Sequence, residues 1–337
     1  MALTKNRVSY ATTNPIRQDD FTGRLQISSM SLGFSTDGDP LIVVDEASMV
    51  DIALALKLMK AFANKDFSLL LVGDVGQLSP VGYGLFFHAL AKSKTIPTTH
   101  LIKTHRTIRD SELQKTALQI RSGQLQTLSI WNGEQEGVFL VPCSTAQNLL
   151  TNLTRLKQAI PDAQVLTPHM SERMPDSGHK INNHLQRALQ QTDTTQGIKM
   201  SNYWLRVNDP VIVTQNSYEH NLFNGNTGVM KGLKVVDGEM VGVFAFNGLE
   251  VYLTRMELFL LGVKLAYAVS IHKAQGSEYP ASIICLLSQS EFVERSMLYT
   301  AISRSKRLAL IVSTQEILQK GVARPNRSDT LCVGFSV

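Results

Sequence analysis

Two neighbouring acidic residues in this 337-residue chain could hold a divalent cation and activate a water molecule. Asp45 and Glu46 follow directly after Leu41–Val44, a run of four aliphatic residues. An aspartate beside bound phosphates can hold Mg²⁺, and an adjacent glutamate can deprotonate an attacking water. An acidic helix start, capped by Asp45 or Ser48, is the alternative. Both interpretations stay open on these residues alone.

A second polar segment, Gly73–Val81, follows the apolar run Leu69–Val72. Its Gln77 is suited to sense a terminal phosphate or the water that attacks it. An ordinary polar turn is the alternative. Two such segments after successive apolar runs are more specific than either alone.

A third polar segment runs from His272 to Glu278 and includes Lys273, Gln275 and Gly276. A histidine–lysine pair by itself is more often part of a solvated surface than of a site. Without further ligands, it also cannot form a zinc site.

The elements that must position these residues are typical of a parallel α/β sheet. Leu41–Val44 and Leu69–Val72 predict buried strands, and the apolar spacing over Met49–Ala63 predicts a helix between them. Because ligands bind at the carboxyl ends of such strands, we expect both polar loops at one sheet edge. The pattern further predicts helices over 111–124, 145–160 and Glu291–Ser303, and strands over Gln164–Thr167, Ser282–Leu287 and Leu308–Val312.

Residues 200–262 have a different pattern, in which apolar and polar residues alternate between turn pairs such as Asp237-Gly238 and Asn247-Gly248. Short strands with such turns predict a small antiparallel barrel. Residues 1–40 are polar and predict an irregular lead-in, and the segment after Gly321 predicts a loosely ordered tail.

The ordered segments resemble superfamily 1 DNA helicases of the RecD/TraA type. The resemblance covers roughly residues 41–313 and rests on the helicase motifs II, III, IV, V and VI, with two further segments: LIVVDEASMVD, LLLVGDVGQLSPVG, LIKTHR, LAYAVSIHKAQGSEYPASII and LYTAISRSKRLALIV, with VLTPHM and NDPVIVTQNSYEHNLFNGNTGVM. It implies an α/β fold of RecA-like P-loop NTPase motor domains, the first one truncated, with an SH3-like β-barrel insertion in the second. The implied bounds are 1–140 for the first motor domain, 141–199 and 263–320 for the second, 200–262 for the barrel and 321–337 for a tail.

The resemblance implies catalytic roles for five residues. Asp45 would hold Mg²⁺, Glu46 would be the general base and Gln77 would sense the γ-phosphate. Arg106 and Arg304 would act as arginine fingers, which stabilise charge in the transition state. Taken alone, Arg106 would be assigned to a surface ion pair and Arg304 to a solvated helix end.

The resemblance also implies ligands and partners. The cofactors would be ATP and Mg²⁺, and the partner would be single-stranded DNA, contacted mostly through its phosphates. Nucleotide contacts are implied for Asp45, Gly276 and Glu278, and DNA contacts for His272, Lys273, Gln275 and Asn224. Base stacking is a further possibility, with core packing as the alternative, for Tyr83, Phe87, Tyr218 and Phe223.

The phosphate-binding P-loop of the family is not found, because Gly-Lys-Ser or Gly-Lys-Thr occurs nowhere in the chain. We therefore expect the chain to start after the P-loop, inside the first motor domain. The implied function is ATP-dependent 5′–3′ translocation and unwinding of DNA when a P-loop is supplied. Three explanations stay open: a split or truncated helicase gene, which the retained motif residues favour; a fragment completed by a second polypeptide; and a non-catalytic module that binds single-stranded DNA. A two-metal nuclease is a remote further hypothesis, since the acidic spacing matches the helicase motifs better.

Composition narrows the class of protein. The formal net charge of +5 and the pI near 9.0 permit a polyanionic partner without requiring one. The three cysteines are far apart, so neither a disulfide framework nor a zinc site is expected. No secretory signal and no apolar run of about 20 residues is present, which predicts a soluble, cytoplasmic protein without a membrane partner.

Overall fold

The computed structural model describes Ser29–Met30 and residues 41–64, 66–101, 111–174, 176–190, 197–287 and 293–331. The chain divides into two compact units, one formed by Met1–Thr99 with Leu331–Val337 and the other by His100–Thr330. The domain bounds implied by the resemblance stay predictions. Within the described residues, no helix is both long enough and apolar enough to cross a membrane.

The first unit contains a small sheet with its helices. Its elements are β1 (Ser29–Met30), β2 (Leu41–Val44), β3 (Ser68–Leu71), α1 (Ile52–Ala61) and α2 (Phe86–Lys92). The strand order is β1-β2-β3; β2 pairs parallel with β3, and β1 pairs antiparallel with β2. The parallel pairing of the two predicted strands is therefore confirmed. The prediction that both are buried is wrong for β3, where Leu70 is 47% exposed. The prediction of an irregular lead-in is wrong at β1, and the rest of residues 1–40 lies outside the described part.

The helix between β2 and β3 starts later than predicted. Ala47–Met49 forms a short 3-10 turn, and Val50 is extended. Asp51 then caps α1, because its Oδ1 accepts a hydrogen bond from Leu54 N at 2.7 Å. The predicted start at Met49 is thus wrong by three residues. The helical spacing of apolar residues extends back into the 3-10 turn, although Asp51 begins the helix only after that turn.

The second unit is the larger one and combines two sheets with the remaining helices. Its strands are β4 (Gly137–Pro142), β5 (Ala163–Thr167), β6 (Gly197–Lys199), β7 (Trp204–Arg206), β8 (Pro210–Ile212), β9 (Thr227–Val236), β10 (Glu239–Phe246), β11 (Leu249–Leu253), β12 (Lys264–Leu265), β13 (Ala268–Ser270), β14 (Tyr279–Cys285) and β15 (Ser305–Ser313). Its helices are α3 (Glu112–Arg121), α4 (Ala146–Ala159), α5 (Gly178–Leu189), α6 (Arg255–Leu260), α7 (Arg295–Ser303), α8 (Gln315–Ala323) and α9 (Arg327–Thr330).

One sheet of the second unit is entirely parallel, in the order β13-β5-β14-β15-β4. Leu149 and Leu153 of α4 and Ile181 and Leu185 of α5 are buried in one core with the aliphatic residues of these strands. Covering a parallel sheet with helices explains why its strands are nearly continuous apolar runs. The α/β prediction is confirmed.

The other sheet is antiparallel, in the order β11-β10-β9-β8-β12, and β6 pairs with β7 beside it. Both residues of the turns Asp237-Gly238 and Asn247-Gly248 have positive φ, between 49° and 83°. Such turns match the twist of antiparallel strands. The predicted antiparallel strands are confirmed, whereas closure into an SH3-like barrel stays a prediction.

The end of the described chain is more regular than predicted. Beyond Gly321, α8 continues to Ala323, and α9 covers Arg327–Thr330. Val322 is 2% exposed, so burial orders this segment despite its polar composition. The prediction of a loosely ordered tail is wrong as far as Thr330, and residues 332–337 lie outside the described part.

We expect Thr254→Ala to lower the free energy of unfolding by about 1 kcal/mol, because the change removes a helix cap. Thr254 Oγ1 accepts from Glu257 N at 3.2 Å, and Glu257 Oε2 accepts from Thr254 N at 2.7 Å, which completes a capping box on α6. Denaturant unfolding measures the change. Thr151→Ala, on the exposed side of α4, is the matched control. It should leave stability unchanged or raise it by up to about 0.7 kcal/mol, because alanine favours helix more than threonine does. Equal losses in both variants would contradict the capping role.

Candidate functional site

The loops after β2 and β3 leave the first unit's sheet at the same edge. Val72 N donates to Val44 O at 2.8 Å, and Ala47 N donates back to Val72 O at 2.8 Å. These two hydrogen bonds extend the pairing past the ends of both strands. The acidic pair after β2 and the polar loop after β3 are therefore held side by side, as the sequence predicts.

Asp45 and Glu46 occupy the turn that follows β2. The Asp45 side chain is exposed, and its Oδ1 accepts from Glu46 N at 2.8 Å. Glu46 has left-handed backbone angles, with φ 51° and ψ 38°. Because Asp51 caps α1, and no side-chain bond caps the 3-10 turn, the alternative that Asp45 or Ser48 is the helix cap is wrong.

The loop after β3 packs closely against the turn after β2. A Cβ at Gly73 would lie 2.9 Å from Ser48 N and 3.0 Å from the Phe87 ring, so only glycine permits this approach. Asp74 folds the loop, because its Oδ1 accepts from Gly76 N at 2.8 Å and its carbonyl accepts from Gln77 N at 3.1 Å.

Gln77 is buried within this loop, with 9% of its surface exposed. Its Oε1 accepts no hydrogen bond from any residue that the structure describes. A buried amide oxygen without a partner is costly. A ligand or a water molecule can supply a donor to this oxygen.

In the second unit, the segment from His272 to Glu278 begins at the carboxyl edge of the parallel sheet. Ser270 pairs with Thr167 across β13 and β5, and Ile271 N then donates to Thr167 O at 3.0 Å. Ala274 N donates to Ser270 O at 3.0 Å and Lys273 N to Ser270 Oγ at 3.3 Å, which turns the chain sharply. Gln275 is buried within this turn.

The histidine of this loop is a neutral group near pH 7. Burial lowers the pKa of His272, and the neighbouring His169 lowers it further. The imidazole can therefore donate or accept a hydrogen bond there without adding positive charge. Lys273 supplies the charge of the pair.

Arg304 lies at the end of α7 and contacts the same loop. Its side chain is 1% exposed; Nη1 donates to Ser277 O at 3.4 Å and Nε donates to Thr300 O at 3.3 Å. Beside it, Glu278 forms an ion pair with Lys306 at 3.2 Å. The structure thus brings Arg304 together with the predicted nucleotide residues Gly276 and Glu278 in this unit. Arg106 lies outside the described residues, and its role stays a prediction.

Asn224 lies on the loop between β8 and β9. This loop connects strands of the antiparallel sheet and is not part of the parallel sheet. Its backbone N donates to Asn216 Oδ1 at 2.8 Å. His220 of the same loop contacts Glu257 of the α6 capping box at 3.2 Å. The loop is thus tied to the antiparallel sheet region, and its DNA contact stays a prediction.

The aromatic candidates differ in their surroundings. Phe87 is 8% exposed and belongs to the first unit's core, which is the alternative that the sequence left open. Tyr83 is 94% exposed. Tyr218 and Phe223 pack edge to face, with ring centroids 5.8 Å apart.

Comparisons with known proteins identify the family of the chain. Residues 13–138 match the family described as AAA domain, and residues 265–312 match the UvrD-like helicase C-terminal domain. The ATP-dependent RecD2 DNA helicase of Deinococcus radiodurans is 31% identical over 268 residues, which cover 79% of this chain and 35% of the relative. The RecBCD enzyme subunit RecD of Mycolicibacterium smegmatis is 28% identical over 305 residues, which cover 84% of this chain and 52% of the relative. The chain belongs to the RecD-like helicases of superfamily 1.

This RecD-like chain spans about a third of the RecD2 relative and about half of the RecD relative. Its fold resembles Pif1 helicases. A structure of Bacteroides Pif1 with ADP-AlF3 and single-stranded DNA gives a TM-score of 0.53 at 20% identity, covering 86% of this chain and 73% of that one. The Candida albicans Pif1 helicase gives 0.53 at 17% identity, covering 83% and 74%. These likenesses confirm the α/β fold.

The residues of the RecD-like chain fit a magnesium nucleotide. Asp45 presents an exposed carboxylate at the sheet edge, and Gln77 has a buried amide oxygen without a described partner. The described part of the chain holds no group of three or more His, Cys, Asp or Glu arranged as metal ligands. Mg²⁺ bound through Asp45 would therefore take its other ligands from water and phosphate oxygens, as Mg²⁺ usually does.

Sequence reasoning missed a set of buried polar residues in the second unit. Asp209 is fully buried and accepts hydrogen bonds from Gln186 and Tyr267, and buried Asn182 binds the backbone of β13. Asp209 lies in the segment NDPVIVTQNSYEHNLFNGNTGVM, for which the sequence predicts no buried carboxylate. No local signal separates a buried aspartate from a turn aspartate there, since its partners are distant in sequence.

Proposed function

We propose that this chain is the part of a RecD-like motor that activates water, senses the nucleotide and tracks single-stranded DNA. With a P-loop supplied by other residues, it drives 5′–3′ translocation and unwinding at the expense of ATP. The relative from Deinococcus radiodurans is named an ATP-dependent DNA helicase. The RecD relatives are subunits of the RecBCD enzyme, which supports assembly with further polypeptides.

One observation carries the proposal: the Ala47–Val72 hydrogen bond at 2.8 Å holds the Asp45-Glu46 turn beside the Gln77 loop. The proposed cation ligand Asp45, the proposed base Glu46 and the amide of Gln77 therefore lie on loops at the same edge of the sheet. Nucleotide phosphates bind at such edges in parallel α/β sheets. The arrangement supports hydrolysis of a phosphate bond better than a structural turn, because the carboxylates cap no helix.

Each side chain has a distinct task in this chemistry. Mg²⁺ held by Asp45 would neutralise charge on the phosphate oxygens. Glu46 orients the attacking water and accepts its proton. Gln77 contacts the water or the terminal phosphate through its amide. Arg304, which already contacts the 272–278 segment through Ser277, stabilises the negative charge that grows in the transition state.

The decisive experiment measures DNA-stimulated ATP hydrolysis after mixing the chain with a polypeptide that carries a P-loop. Hydrolysis that requires both polypeptides, and that rises with single-stranded DNA, is the expected result. Absence of hydrolysis from a mixture in which both polypeptides are folded and associated would contradict the proposal.

A second candidate is a non-catalytic module that binds single-stranded DNA. It is favoured by one observation, namely that the formal net charge is +5, which permits a polyanionic partner. The two candidates differ in the mixing experiment: a non-catalytic module binds DNA but hydrolyses nothing when the P-loop polypeptide is present. Both candidates share the DNA-binding surface, which is tested separately.

We expect single-stranded DNA affinity to fall with salt, and Lys273→Gln to flatten that dependence. Each phosphate contact contributes a slope of about −0.7 in log K against log salt for single strands. His272→Gln should leave the slope unchanged at pH 8, because its lowered pKa keeps His272 neutral. Titrations of labelled oligothymidylate at several salt concentrations measure the slopes.

Lys320→Gln is the charge-matched control for this measurement. Lys320 lies on α8 in an ion pair with Glu316 at 2.7 Å. Its loss removes one positive charge without touching the 272–278 segment. An equal change of slope in Lys320→Gln and Lys273→Gln would show that net charge, and not a phosphate contact of Lys273, sets the slope.

A further inference from the structure

A buried carboxylate lies at the junction between the antiparallel sheet and the parallel sheet. Asp209 is 0% exposed, yet it has no lysine or arginine ion pair among the described contacts. Its two oxygens instead accept four hydrogen bonds, from Arg206 N at 2.7 Å, Gln186 Nε2 at 2.5 Å, Gln190 Nε2 at 2.8 Å and Tyr267 Oη at 2.8 Å. A buried acidic group is tolerated only with such compensation.

These donors come from three separate parts of the second unit. Arg206 ends β7 beside the antiparallel sheet, and the two glutamines lie on or directly after α5, which packs on the parallel sheet. Tyr267 stands in the link between β12, the last strand of the antiparallel sheet, and β13 of the parallel sheet. Asp209 therefore connects the antiparallel sheet to both α5 and the entry of β13.

Two further side chains form hydrogen bonds with the segment that joins β12 to β13. Asn182 of α5 donates to Ala268 O at 2.8 Å and accepts from Ala268 N at 2.9 Å. Gln164 Nε2 lies 3.1 Å from Ala266 O and 3.2 Å from Tyr267 O. Every residue from 266 to 268 is thus fixed by a polar side chain from another element.

Such fixation matters because β13 is the outer strand of the parallel sheet. In the described sheet it pairs only with β5, through Ala268, Val269 and Ser270. The next residue begins the segment that carries His272 and Lys273. A three-residue outer strand defines the position of the following turn poorly by itself, so side-chain contacts must set it.

We propose that the hydrogen bond between Tyr267 and Asp209 is a positioning contact, which fixes the 272–278 segment relative to the antiparallel sheet and thereby sets its affinity for single-stranded DNA. The inference rests on the proposed DNA-binding function. Neither residue needs to touch DNA. The contact acts through β13, whose register determines where the His272 and Lys273 side chains stand.

Tyr267→Phe tests the proposal, because it removes one hydroxyl and keeps the buried ring. We expect oligothymidylate binding to weaken about threefold or more, within the range of coupling between linked sites. We also expect faster amide hydrogen exchange over residues 270–277. Asp209→Asn should reproduce both effects, since an amide places a donor where Asp209 accepts bonds.

Two other Tyr→Phe variants are the controls. Tyr203 is half-buried, and its hydroxyl donates to Val263 O, which lies outside residues 266–268. The Tyr252 hydroxyl lies on the exposed antiparallel surface, where it accepts from Lys234 at 2.9 Å. Both variants should bind DNA like the wild type, even if Tyr203→Phe lowers the unfolding temperature as much as Tyr267→Phe.

The outcomes separate this inference from the DNA-binding proposal. Equal weakening of DNA binding in Tyr267→Phe and Tyr203→Phe would overturn the inference, because general destabilisation would explain both. Unchanged exchange and unchanged affinity in Tyr267→Phe would overturn it as well. If the wild type binds no DNA, the function proposal fails, and exchange over residues 270–277 still decides whether the contact positions the segment.

Discussion

Glu46→Gln is expected to slow DNA-stimulated ATP hydrolysis by roughly 10²–10⁴-fold in the chain complemented with a P-loop polypeptide, the range that a positioned general base contributes. The amide keeps the size of the side chain but cannot accept the proton of the attacking water. Because Glu46 caps no helix through its side chain, the change should leave folding nearly unaffected. Steady-state hydrolysis at saturating DNA and nucleotide measures the effect.

The control for this change is Glu112→Gln at the start of α3. Glu112 is exposed and forms an ion pair with Lys115 at 3.6 Å, of the kind that contributes little. Nucleotide binding by the complemented Glu46→Gln protein should persist while turnover is lost. If Glu46→Gln retained turnover, Glu46 would not be the general base, and another residue would have to serve as the base.

Arg304→Lys is expected to reduce turnover by about 10³-fold or more, as for other arginines that stabilise phosphoryl transfer. Lysine keeps the charge but lacks the planar fork that matches phosphate oxygens. Arg304 is 1% exposed and contacts Ser277 and Thr300, so deletion to alanine would also leave a cavity and lost hydrogen bonds. The lysine variant is therefore the informative one.

Arg307→Lys on β15, the strand that follows Arg304, is the matched control. Arg307 is partly exposed, with its guanidinium 3.4 Å from Asp162, and should tolerate the change. Thermal unfolding and oligothymidylate affinity of both variants establish that the fold and the DNA surface are intact. A turnover loss of similar size in Arg307→Lys, or none in Arg304→Lys, would contradict the role of Arg304.

The sequence was sufficient for features that depend on local pattern. Aliphatic runs such as Leu308–Val312 predicted parallel strands, since strands buried on both faces need apolar residues at every position. The positions of Asp45 and Gln77 followed from the geometry of parallel sheets, in which strand ends lie together. The Asn-Gly and Asp-Gly pairs predicted tight antiparallel turns because left-handed backbone favours those residues.

Features that depend on distant partners could not be predicted. The helix α5 buries Asn182 and Gln186, which interrupt the apolar pattern that reveals a helix. Asn182 is satisfied by Ala268, 86 residues away, so its burial is invisible locally. The burial of Arg304 likewise depends on Ser277 of another segment, whereas the sequence alone suggested a solvated helix end.

At Glu46, the residue that the proposed reaction requires differs from the residue that the backbone conformation favours. Most residues with a Cβ are disfavoured at φ 51° by roughly 1 kcal/mol or more. Glycine, which has no Cβ, and asparagine, whose short side chain can hydrogen-bond locally, adopt this conformation more readily. The most stable sequence at this position therefore lacks the carboxylate that the proposed reaction needs. Stabilising substitutions are common in proteins and often reduce activity. At position 46 of this chain, a substitution that raises the stability of the fold would remove the carboxylate on which the proposed activity depends.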